Sequence, residues 1–484
     1  MSSSVPPAPE SRAPREMPAW PPKAEAAYAG MEEEVFFHSL DAPLARQEGG
    51  GGLTASKREG PEEGIFIELK GLIEEYLAPR QTPVNSRQLE LMRSSYDAED
   101  ILEVVKLILG RQLTMGPKVR EFERAWSHWL GTSDSVMVNS GSSANLLAFS
   151  AFSSPEFPAC LRPGDEVIVP AVCWSTSVFP ISQCGCVPVV VDVNSATLNI
   201  DPAQMREALS PRTKAIVVVH VLGNPCQMPE IMEIARAHGL LVLEDCCEAH
   251  GASIWERKVG TFGDLATFSF FFSHHITTIE GGMISSCEPG RWRDSLISLR
   301  AHGWIRGRSD EEKWVGEYRG FDRRWLFVVP GYNVRATEIN AVFGLCQLGR
   351  LNRFIANRCV TRQYLISRLE PYRSLLRTQT ELPGHHHSAF GTSLLVQPGA
   401  PFTRDELQAY LEDHQVQTRP IIAGNIVRHP VMQHIAHRVG APDGRLPMAD
   451  IVHRNGLMIG NHHNVTPSQR EYVGDLLEDF LARR

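Results

Sequence analysis

The sequence predicts an α/β fold in which a mostly parallel sheet lies between layers of helices. From about residue 98 onward, short runs rich in Val, Ile, Leu and Phe recur, each bounded by Gly, Pro, Asp or Ser. Helical stretches such as "MPEIMEIARAHG" separate several of these runs. Because the runs are continuous rather than alternating, we expect strands that are covered on both faces, as in parallel sheets joined by helices.

The elements are predicted in a fixed order along the chain. Apolar residues at helical spacing predict helices in "GIFIELKGLIEEYL" and "AEDILEVVKLILG". Six strands are predicted after them, in "SVMVNS", "DEVIVP", "CVPVVVDV", "KAIVVVHV", "GLLVLED" and "LATFSF". A strand-like run resumes after Gly281 and Gly282. The long stretch "TEINAVFGLCQLGRLNRFIANRCVTRQYLISRLEPY" predicts helix and closes this region.

Composition divides the chain into three parts. Residues 1–60 are rich in Pro, Ala, Glu and Gly, which predicts a disordered extension because such a segment buries too little apolar surface to fold. Residues 61–365 hold the N-terminal helices and the sheet, and are expected to form the large domain. Residues 366–484 are expected to form a smaller α+β domain, with a strand in "SAFGTSLLVQ" and a helix in "TRDELQAYLEDH" capped by Thr403.

Charge and hydropathy exclude several classes of protein. The 484 residues carry a net charge of −8, and no basic stripe of the kind that binds nucleic acid stands out. No apolar run is long enough to cross a bilayer, and the first residues lack the apolar core of a secretory signal. We therefore expect a cytoplasmic enzyme. Its ten cysteines lack the paired spacing of a zinc site, so we expect reduced, buried thiols and no metal.

One candidate ligand site follows the predicted strand "SVMVNS". Ligands of parallel sheets collect beyond the carboxyl ends of the strands. Here Ser142 and Ser143 lie where a strand gives way to a helix, and the free N–H groups of a helix N-terminus favour an anion. The segment therefore suits a phosphate group. A serine-rich helix cap without a ligand is the alternative.

Two further strand ends carry groups that can take part in catalysis. Glu244 and Asp245 close an apolar strand, and one of them should point into the site. A buried carboxylate needs a cationic partner, and a protonated pyridine nitrogen is one such partner. His274 and His275 follow the strand "LATFSF", and a histidine can act as acid or base near neutral pH. Purely structural roles are the alternative for these side chains too.

Eight motifs in order resemble the DegT/DnrJ/EryC1/StrS sugar aminotransferase family, of the fold type I class of pyridoxal-phosphate enzymes. They are "LTMGPKVREFE", "NSGSSANLLA", "VPAVCWSTSVFP", "VVHVLGNP", "LEDCCEAHGA", "FSFFFSHHITTIEGG", "LRAHGW" and "PGYNVRATEINAVFGLCQL". The resemblance runs from about residue 85 to residue 484. It implies a large domain with a mostly parallel seven-stranded sheet, followed by a smaller C-terminal α+β domain.

The resemblance also implies roles for residues that bind the cofactor. Ser142 and Ser143 would hold the cofactor phosphate, and Trp174 would stack on the pyridine ring. Asp245 would pair with the pyridinium nitrogen. Glu248 takes a place beside the ring that is often filled by Gln.

The same resemblance implies a partner subunit. Asn333, in the motif "PGYN", would reach the cofactor phosphate of the neighbouring subunit. The family pattern therefore implies a homodimer with shared active sites.

His274 departs from the pattern of most of the family, which has at this position the lysine that holds the cofactor covalently. Imidazole cannot form that link, so pyridoxal 5′-phosphate or pyridoxamine 5′-phosphate would bind non-covalently. The substitution resembles the 3-dehydratase branch, whose sites read "HHIT…EGG". His274 would be the base, and His275 is either an alternative base or an orienting neighbour. The C-terminal motifs resemble the same branch and imply that Arg419 and Asn425 face the substrate.

The reaction implied is the loss of the 3-hydroxyl of a nucleotide-linked 4-keto-6-deoxy sugar. L-glutamate would regenerate the amine form of the cofactor. The segment "LRAHGWIRGRSDEEKW" lacks the cysteines of the branch that carries an iron–sulfur cluster, so a cluster-free enzyme is expected. An aminotransferase, or another eliminase that uses the same cofactor, is the first alternative. A catalytically silent binding protein on this fold is the second.

Overall fold

The computed structural model describes residues 61–78, 85–111 and 113–484. The disordered extension predicted for residues 1–60 lies outside the described residues. Within the described ranges the chain forms fourteen α-helices: α1 Pro61–Leu77, α2 Ala98–Leu109, α3 Pro117–Leu130, α4 Gly141–Phe152, α5 Ser175–Gln183, α6 Pro202–Ala208, α7 Met228–His238, α8 Arg293–Arg300, α9 Glu311–Glu317, α10 Glu338–Leu348, α11 Leu351–Leu369, α12 Arg404–Asp413, α13 Pro447–Asn455 and α14 Pro467–Ala482.

The same ranges contain fifteen strands, several of only two residues. They are β1 Asp134–Val138, β2 Glu166–Pro170, β3 Val187–Val191, β4 Thr213–Val219, β5 Leu241–Asp245, β6 Ser253–Ile254, β7 Arg257–Lys258, β8 Leu265–Ser269, β9 Gly282–Ser286, β10 Leu376–Arg377, β11 His385–His386, β12 Thr392–Val396, β13 Thr418–Arg419, β14 Arg438–Val439 and β15 Gly456–Ile459. Each of the six strands predicted first is present.

The central sheet has the strand order β1-β9-β8-β5-β4-β2-β3-β14. Five of its pairings are parallel, and β9 runs antiparallel to both of its neighbours. The predicted α/β class and the mostly parallel sheet are therefore confirmed. The sheet has eight strands rather than seven, because β14 adds two residues beside β3. A strand so short leaves no apolar run that a sequence pattern can detect.

Both faces of the central sheet are buried. In β4, Val217 and Val219 pack on the face covered by α4, α5 and α8. Their neighbours Ile216 and Val218 pack on the other face, towards α6 and α7. Alternate residues of each strand thus pack on opposite faces, and both faces are apolar. For this reason the strands read as continuous apolar runs.

A second, antiparallel sheet lies in the C-terminal part of the chain, with the order β10-β12-β15-β13. It packs with α11, α12 and α14 around a separate apolar cluster. Thr403 caps α12 through a hydrogen bond from the Glu406 N–H to its side chain, as predicted. Because β14 comes from the same part of the chain and joins the central sheet, residues 366–484 contribute to both sheets. The boundary at residue 366 stays a prediction.

The helices also bear on the expectation about membranes. None of the helices in the described ranges is both long and apolar enough to span a lipid bilayer.

The stretch predicted as one long helical region is two helices, α10 and α11, separated at Gly349 and Arg350.

Candidate active site

A cavity of about 500 Å³ opens at the carboxyl ends of β1, β5 and β8. These three strands point the same way, so the segments that follow them meet at one edge of the sheet. The start of α5 and two segments of the C-terminal part complete the wall. Six of the nine predicted site residues line the cavity: Ser142, Trp174, Asp245, Glu248, His274 and Arg419.

The N-terminus of α4 forms one wall. Ser140 is the N-cap, and its hydroxyl accepts a hydrogen bond from the Ser143 N–H at 3.1 Å. The Ser140 hydroxyl also donates to the Ser143 hydroxyl at 3.0 Å, so Ser143 faces its own helix cap. Ser140, Gly141 and Ser142 line the cavity instead. A Cβ on Gly141 would lie 2.5 Å from the Cβ of Ser269, and this close approach requires glycine.

The N-terminus of α5 points into the same cavity. Trp174 is its N-cap residue and makes no side-chain hydrogen bond to the helix. Its indole is 56% exposed, which is unusual for a large apolar side chain that lines a cavity. Thr176 lies opposite α4 and accepts a hydrogen bond from the Ser142 hydroxyl at 3.5 Å. Two helix N-termini therefore face one space, an arrangement that favours an anion.

Asp245 ends β5 with its carboxylate in the cavity wall. Its Oδ2 accepts hydrogen bonds from the Ser177 hydroxyl at 2.7 Å and from the Asn145 side chain at 3.0 Å. Its Oδ1 accepts from the Cys247 N–H at 3.2 Å. Asn145 is itself held by Thr267, whose hydroxyl donates to it at 2.6 Å. These contacts fix the carboxylate without a cation, so its free lone pairs can accept from a protonated ring nitrogen.

Glu244 points to the opposite face of the sheet from Asp245, because successive side chains of a strand alternate. Its carboxylate accepts hydrogen bonds from the N–H groups of Gly260, Phe262 and Gly263 at 2.7–2.8 Å. It also contacts the His220 ring at 3.3 Å. Glu244 is thus a buried structural group, and Asp245 is the carboxylate available to a ligand.

His274 lies partly exposed in the cavity after a turn closed by its own N–H, which donates to the Phe271 carbonyl at 3.0 Å. Burial lowers its pKa well below the ordinary value for histidine, and His250, Arg419 and Arg358 lower it further. The ring is therefore neutral at physiological pH and can accept a proton. Among the described residues that line the cavity there is no lysine.

Glu248 and Arg419 face each other across the cavity. The Arg419 Nη2 lies 3.9 Å from the Glu248 Oε1, and the Leu222 N–H donates to Glu248 at 3.0 Å. Burial raises the pKa of Glu248 to about 7, against the opposing effects of Arg419 and Leu222. The Arg419 guanidinium also lies 5.5 Å from the centre of the Phe390 ring. One carboxyl group of this cavity thus titrates near neutral pH.

The structure does not bring Asn333 or Asn425 to this cavity. The Asn425 side chain donates to Asp450 at 2.8 Å and accepts from the Val427 N–H at 3.1 Å, so it faces Asp450 rather than the cavity. Asn333 is exposed on the surface and pairs through its main chain with Ala301. The remaining predicted residue, Ser143, is taken up by the helix cap.

Three polar residues of the site escaped sequence reasoning. The sequence predicts Ser140 as the end of a strand, whereas in the structure it is the N-cap of α4. Asn145 and Ser177 hold Asp245 from two different helices. Asn145 is the polar residue within the apolar stretch "ANLLAF", and a buried polar side chain on an apolar helix was the signal available.

Comparison with known proteins matches residues 94–478 to the DegT/DnrJ/EryC1/StrS aminotransferase family. A GDP-4-keto-6-deoxy-D-mannose 3-dehydratase from Yersinia pseudotuberculosis is 35% identical over 379 residues, which cover 77% of this chain and 93% of that protein. A dTDP-4-dehydro-2,6-dideoxy-D-glucose 3-dehydratase from Saccharopolyspora spinosa is 36% identical over 397 residues, which cover 80% of this chain and 85% of that protein.

A solved structure gives the same result at the level of the fold. It is the crystal structure of a GDP-4-keto-6-deoxymannose-3-dehydratase with a trapped PLP-glutamate geminal diamine, and it is 33% identical. The TM-score is 0.74, and the match covers 81% of this chain and all of the other. The fold type I architecture expected from the sequence is confirmed. The chain belongs to the DegT/DnrJ/EryC1/StrS aminotransferase family.

Proposed function

We propose that this protein is a 3-dehydratase that uses pyridoxal 5′-phosphate and its amine form on a nucleotide-linked 4-keto-6-deoxy sugar. The observation that carries the proposal is the placement of His274. It shares one cavity with Asp245, Trp174 and the N-terminus of α4, where most of the family has its lysine. The related 3-dehydratases described above support the same reaction class.

The residues of the cavity fit the phosphate of the cofactor. Two helix N-termini face the cavity, with Ser140, Ser142 and Thr176 on its wall, and together they suit a phosphate group. The glycine that a Cβ would block, Gly141, lets the main chain come close to it. Ser143 would act through the helix cap rather than by direct contact.

The same cavity fits the pyridine ring. Asp245 would hold the ring nitrogen, and the exposed indole of Trp174 would cover one face of the ring. Glu248 would lie beside the ring. The bound cofactor supplies an electron sink that weakens bonds next to the sugar carbonyl carbon.

His274 moves the proton that the reaction requires. Its ring is neutral at physiological pH, for the physical reasons given above, so it can accept a proton at a ring nitrogen. Once protonated, it can give that proton to the departing 3-hydroxyl, which leaves as water. No lysine lines the cavity among the described residues. A lysine amine is therefore not available there to return a proton to the sugar carbon. Elimination is therefore favoured over amino transfer.

Arg419 is the proposed anchor for anionic groups of the substrates. It lines the cavity, and its Nε is buried without a hydrogen-bond partner among the described residues. A carboxylate of L-glutamate, the proposed amino donor, would satisfy that group. A homologous enzyme has been solved with a glutamate adduct. Two relatives are named for GDP-linked and dTDP-linked sugars, and both kinds of nucleotide sugar are therefore the substrates to test.

We further propose a homodimer in which Asn333 contacts the cofactor phosphate of the neighbouring subunit. Asn333 is exposed, and Trp325, Phe327 and Tyr332 beside it in the chain are exposed aromatic residues. A second copy that covers them would bury this apolar surface. We place the protein in the cytoplasm, where its ten free thiols stay reduced.

The test begins with the purified protein, pyridoxal 5′-phosphate and L-glutamate. Loss of the absorbance of the aldehyde form, with one 2-oxoglutarate formed per cofactor, is expected. A nucleotide-linked 4-keto-6-deoxy sugar is then added, and the products are identified by mass spectrometry. A 3-deoxy-4-keto sugar and ammonia support the proposal, whereas an amino sugar would identify an aminotransferase. Absence of both reactions with GDP-linked and dTDP-linked sugars would contradict the proposal.

A further inference from the structure

Arg358, on α11, holds the main chain of His274 from outside the cavity. Its Nη2 donates to the His274 carbonyl at 3.2 Å. Its Nη1 donates to the carbonyls of Phe390 at 3.0 Å and of Asn461 at 2.8 Å. One guanidinium therefore ties the His274 turn to two segments of the C-terminal part of the chain.

The charge of Arg358 has no counter-ion among the described residues. The side chain is 3% exposed, and its three hydrogen bonds go to neutral carbonyl oxygens. Its Nε has no partner in the part of the chain that the structure describes. Burial lowers the pKa of Arg358 to about 10, so it remains charged at neutral pH. A buried, unpaired guanidinium is costly for stability, and this cost calls for a functional explanation.

Arg358 lies near three histidines, His250, His274 and His275, whose pKa values are lowered so that their rings are uncharged. His274 and His275 both pack against the Phe390 ring, at 5.2 and 5.9 Å between ring centres. The Arg358 guanidinium lies 6.0 Å from the centre of the same ring. His250 lies behind them, 6.2 Å from His274 and 5.1 Å from His275. A fixed positive charge beside these rings disfavours the uptake of a proton.

We propose that Arg358 is a positioning residue for His274, which fixes its main chain and, in addition to burial and Arg419, disfavours protonation of its imidazole through an unpaired positive charge. The proposal rests on the function proposed above, in which His274 is the base. A base must be uncharged before it can act, and the fixed charge of Arg358 adds to the effect of burial on His274. The destabilisation caused by the buried charge is then explained by its effect on the catalytic base.

Other charged and titratable groups also face His274. Arg419, on β13, adds a second positive charge, and the ring of His250 also lowers the pKa of His274. His275 packs against the same Phe390 ring as His274. On the cavity side, Asp245, Glu248 and Glu280 line the wall, and a negative charge beside a histidine acts in the opposite direction. Arg358 differs from these groups because it contacts the main chain of His274 and has no counter-ion within the described residues.

The test is the pKa of His274 itself, measured by NMR on the full-length protein with isotope-labelled histidine, both cofactor-free and with pyridoxal 5′-phosphate. The His274→Asn variant assigns the signal. Arg358→Gln removes the charge, and Arg358→Lys retains it. Arg362→Gln is the matched control, because Arg362 is a buried arginine one turn along α11 that is paired with Glu381 at 2.9 Å. All variants are compared after a check of folding by circular dichroism.

Arg358→Gln is expected to raise the pKa of His274, whereas Arg358→Lys and Arg362→Gln leave it in place. An equal His274 pKa in all proteins, or an equal rise in Arg362→Gln, overturns the proposal. So does a wild-type His274 that titrates at about 6.5 or above, a result that does not depend on the folding of any variant. These outcomes are independent of turnover, so failure of the dehydratase function is recognised separately, by its own products.

Discussion

The Arg419 guanidinium lies 3.9 Å from the Glu248 carboxylate, and this contact joins the C-terminal part of the chain to the segment after β5. Burial raises the pKa of Glu248 to about 7 although Arg419 favours the charged form. The charge of Asp245 adds to the effect of burial. Beside Asp245 and Glu280, the cavity wall therefore holds one carboxyl group, that of Glu248, that changes its charge near neutral pH.

Replacing Glu248 with Gln is expected to remove a pH dependence of cofactor binding. Below about pH 7 the Glu248 side chain is neutral, and above it the Glu248 carboxylate adds a negative charge beside an anionic cofactor. The wild-type affinity for pyridoxal 5′-phosphate should therefore fall, relative to Glu248→Gln, by on the order of fivefold between pH 6 and pH 8. Absorbance titrations of both proteins measure the ratio, in which titration of the cofactor itself cancels. A ratio of affinities that is constant with pH would refute the raised pKa of Glu248.

Replacing His274 with Asn is expected to abolish elimination and to leave the cofactor bound. The loss of a general base slows a reaction by about 10²- to 10⁴-fold. Trp174, Asp245 and the N-terminus of α4 still line the cavity in the variant, so the dissociation constant of the cofactor should change little. Full dehydration activity in this variant would disprove the role of His274 as the base.

The His274→Lys variant is the counterpart of that experiment. An amine at this position is expected to bind the aldehyde form of the cofactor covalently and to favour amino transfer over elimination. Borohydride reduction followed by mass spectrometry of the intact chain detects the covalent link. If no cofactor is trapped, position 274 does not lie where the family places its lysine.

The sequence was a good guide to those parts of the site that lie next to long apolar strands. Asp245 and His274 follow β5 and β8, and the end of a buried strand in a parallel sheet is where ligands bind. Even there, the pattern did not decide between Glu244 and Asp245. That choice depends on which face of β5 carries the N–H groups of residues 260–263, which is a matter of packing.

Residues distant in the chain were beyond a reading of strands and helices. Arg419 was placed in the site by resemblance alone, and Asn425, placed by the same argument, faces Asp450 instead. Arg358 lies on a helix whose pattern gives no reason to single it out. Its importance appears only when α11 is packed against the turn at His274. The two-residue strand β14 likewise exists only because β3 is there to pair with it.

Replacing Gly141 with Ala is expected to distort the start of α4 and to weaken cofactor binding by tenfold or more. The new Cβ would lie 2.5 Å from the Ser269 Cβ, and this contact forces β8 and α4 apart. Gly71→Ala on α1 is the control, because an added Cβ meets nothing within 4 Å there and alanine is the better helix former by about 1 kcal/mol. Cofactor titration and thermal unfolding report both effects. Unchanged binding in Gly141→Ala would exclude the N-terminus of α4 as the site of the cofactor phosphate.

Acid is expected to destabilise the protein between pH 7 and pH 5. Burial lowers the pKa of several histidines well below their unfolded value of about 6.5. They are His250, His274, His275, His387, His462 and His463. Below that value the unfolded chain binds protons that the folded chain does not, so the free energy of unfolding falls as pH falls. Each such histidine contributes about 1.4 kcal/mol per pH unit once its unfolded form is protonated.

Glu248 acts in the opposite direction, because its raised pKa lets the folded state bind a proton from about pH 7 downward. One carboxyl group against six histidines leaves the net effect destabilising in acid. Thermal unfolding at constant ionic strength should therefore give a lower Tm at pH 5 than at pH 7. In His462→Asn the fall in Tm should be smaller, because the unfolded variant takes up one proton fewer than the unfolded wild type. Neither ring nitrogen of His462 has a partner within the described residues, so the substitution removes no hydrogen bond of the ring. A Tm that stays constant or rises towards pH 5 would mean that these histidines are protonated in the folded protein, which would also remove the basis for a neutral His274.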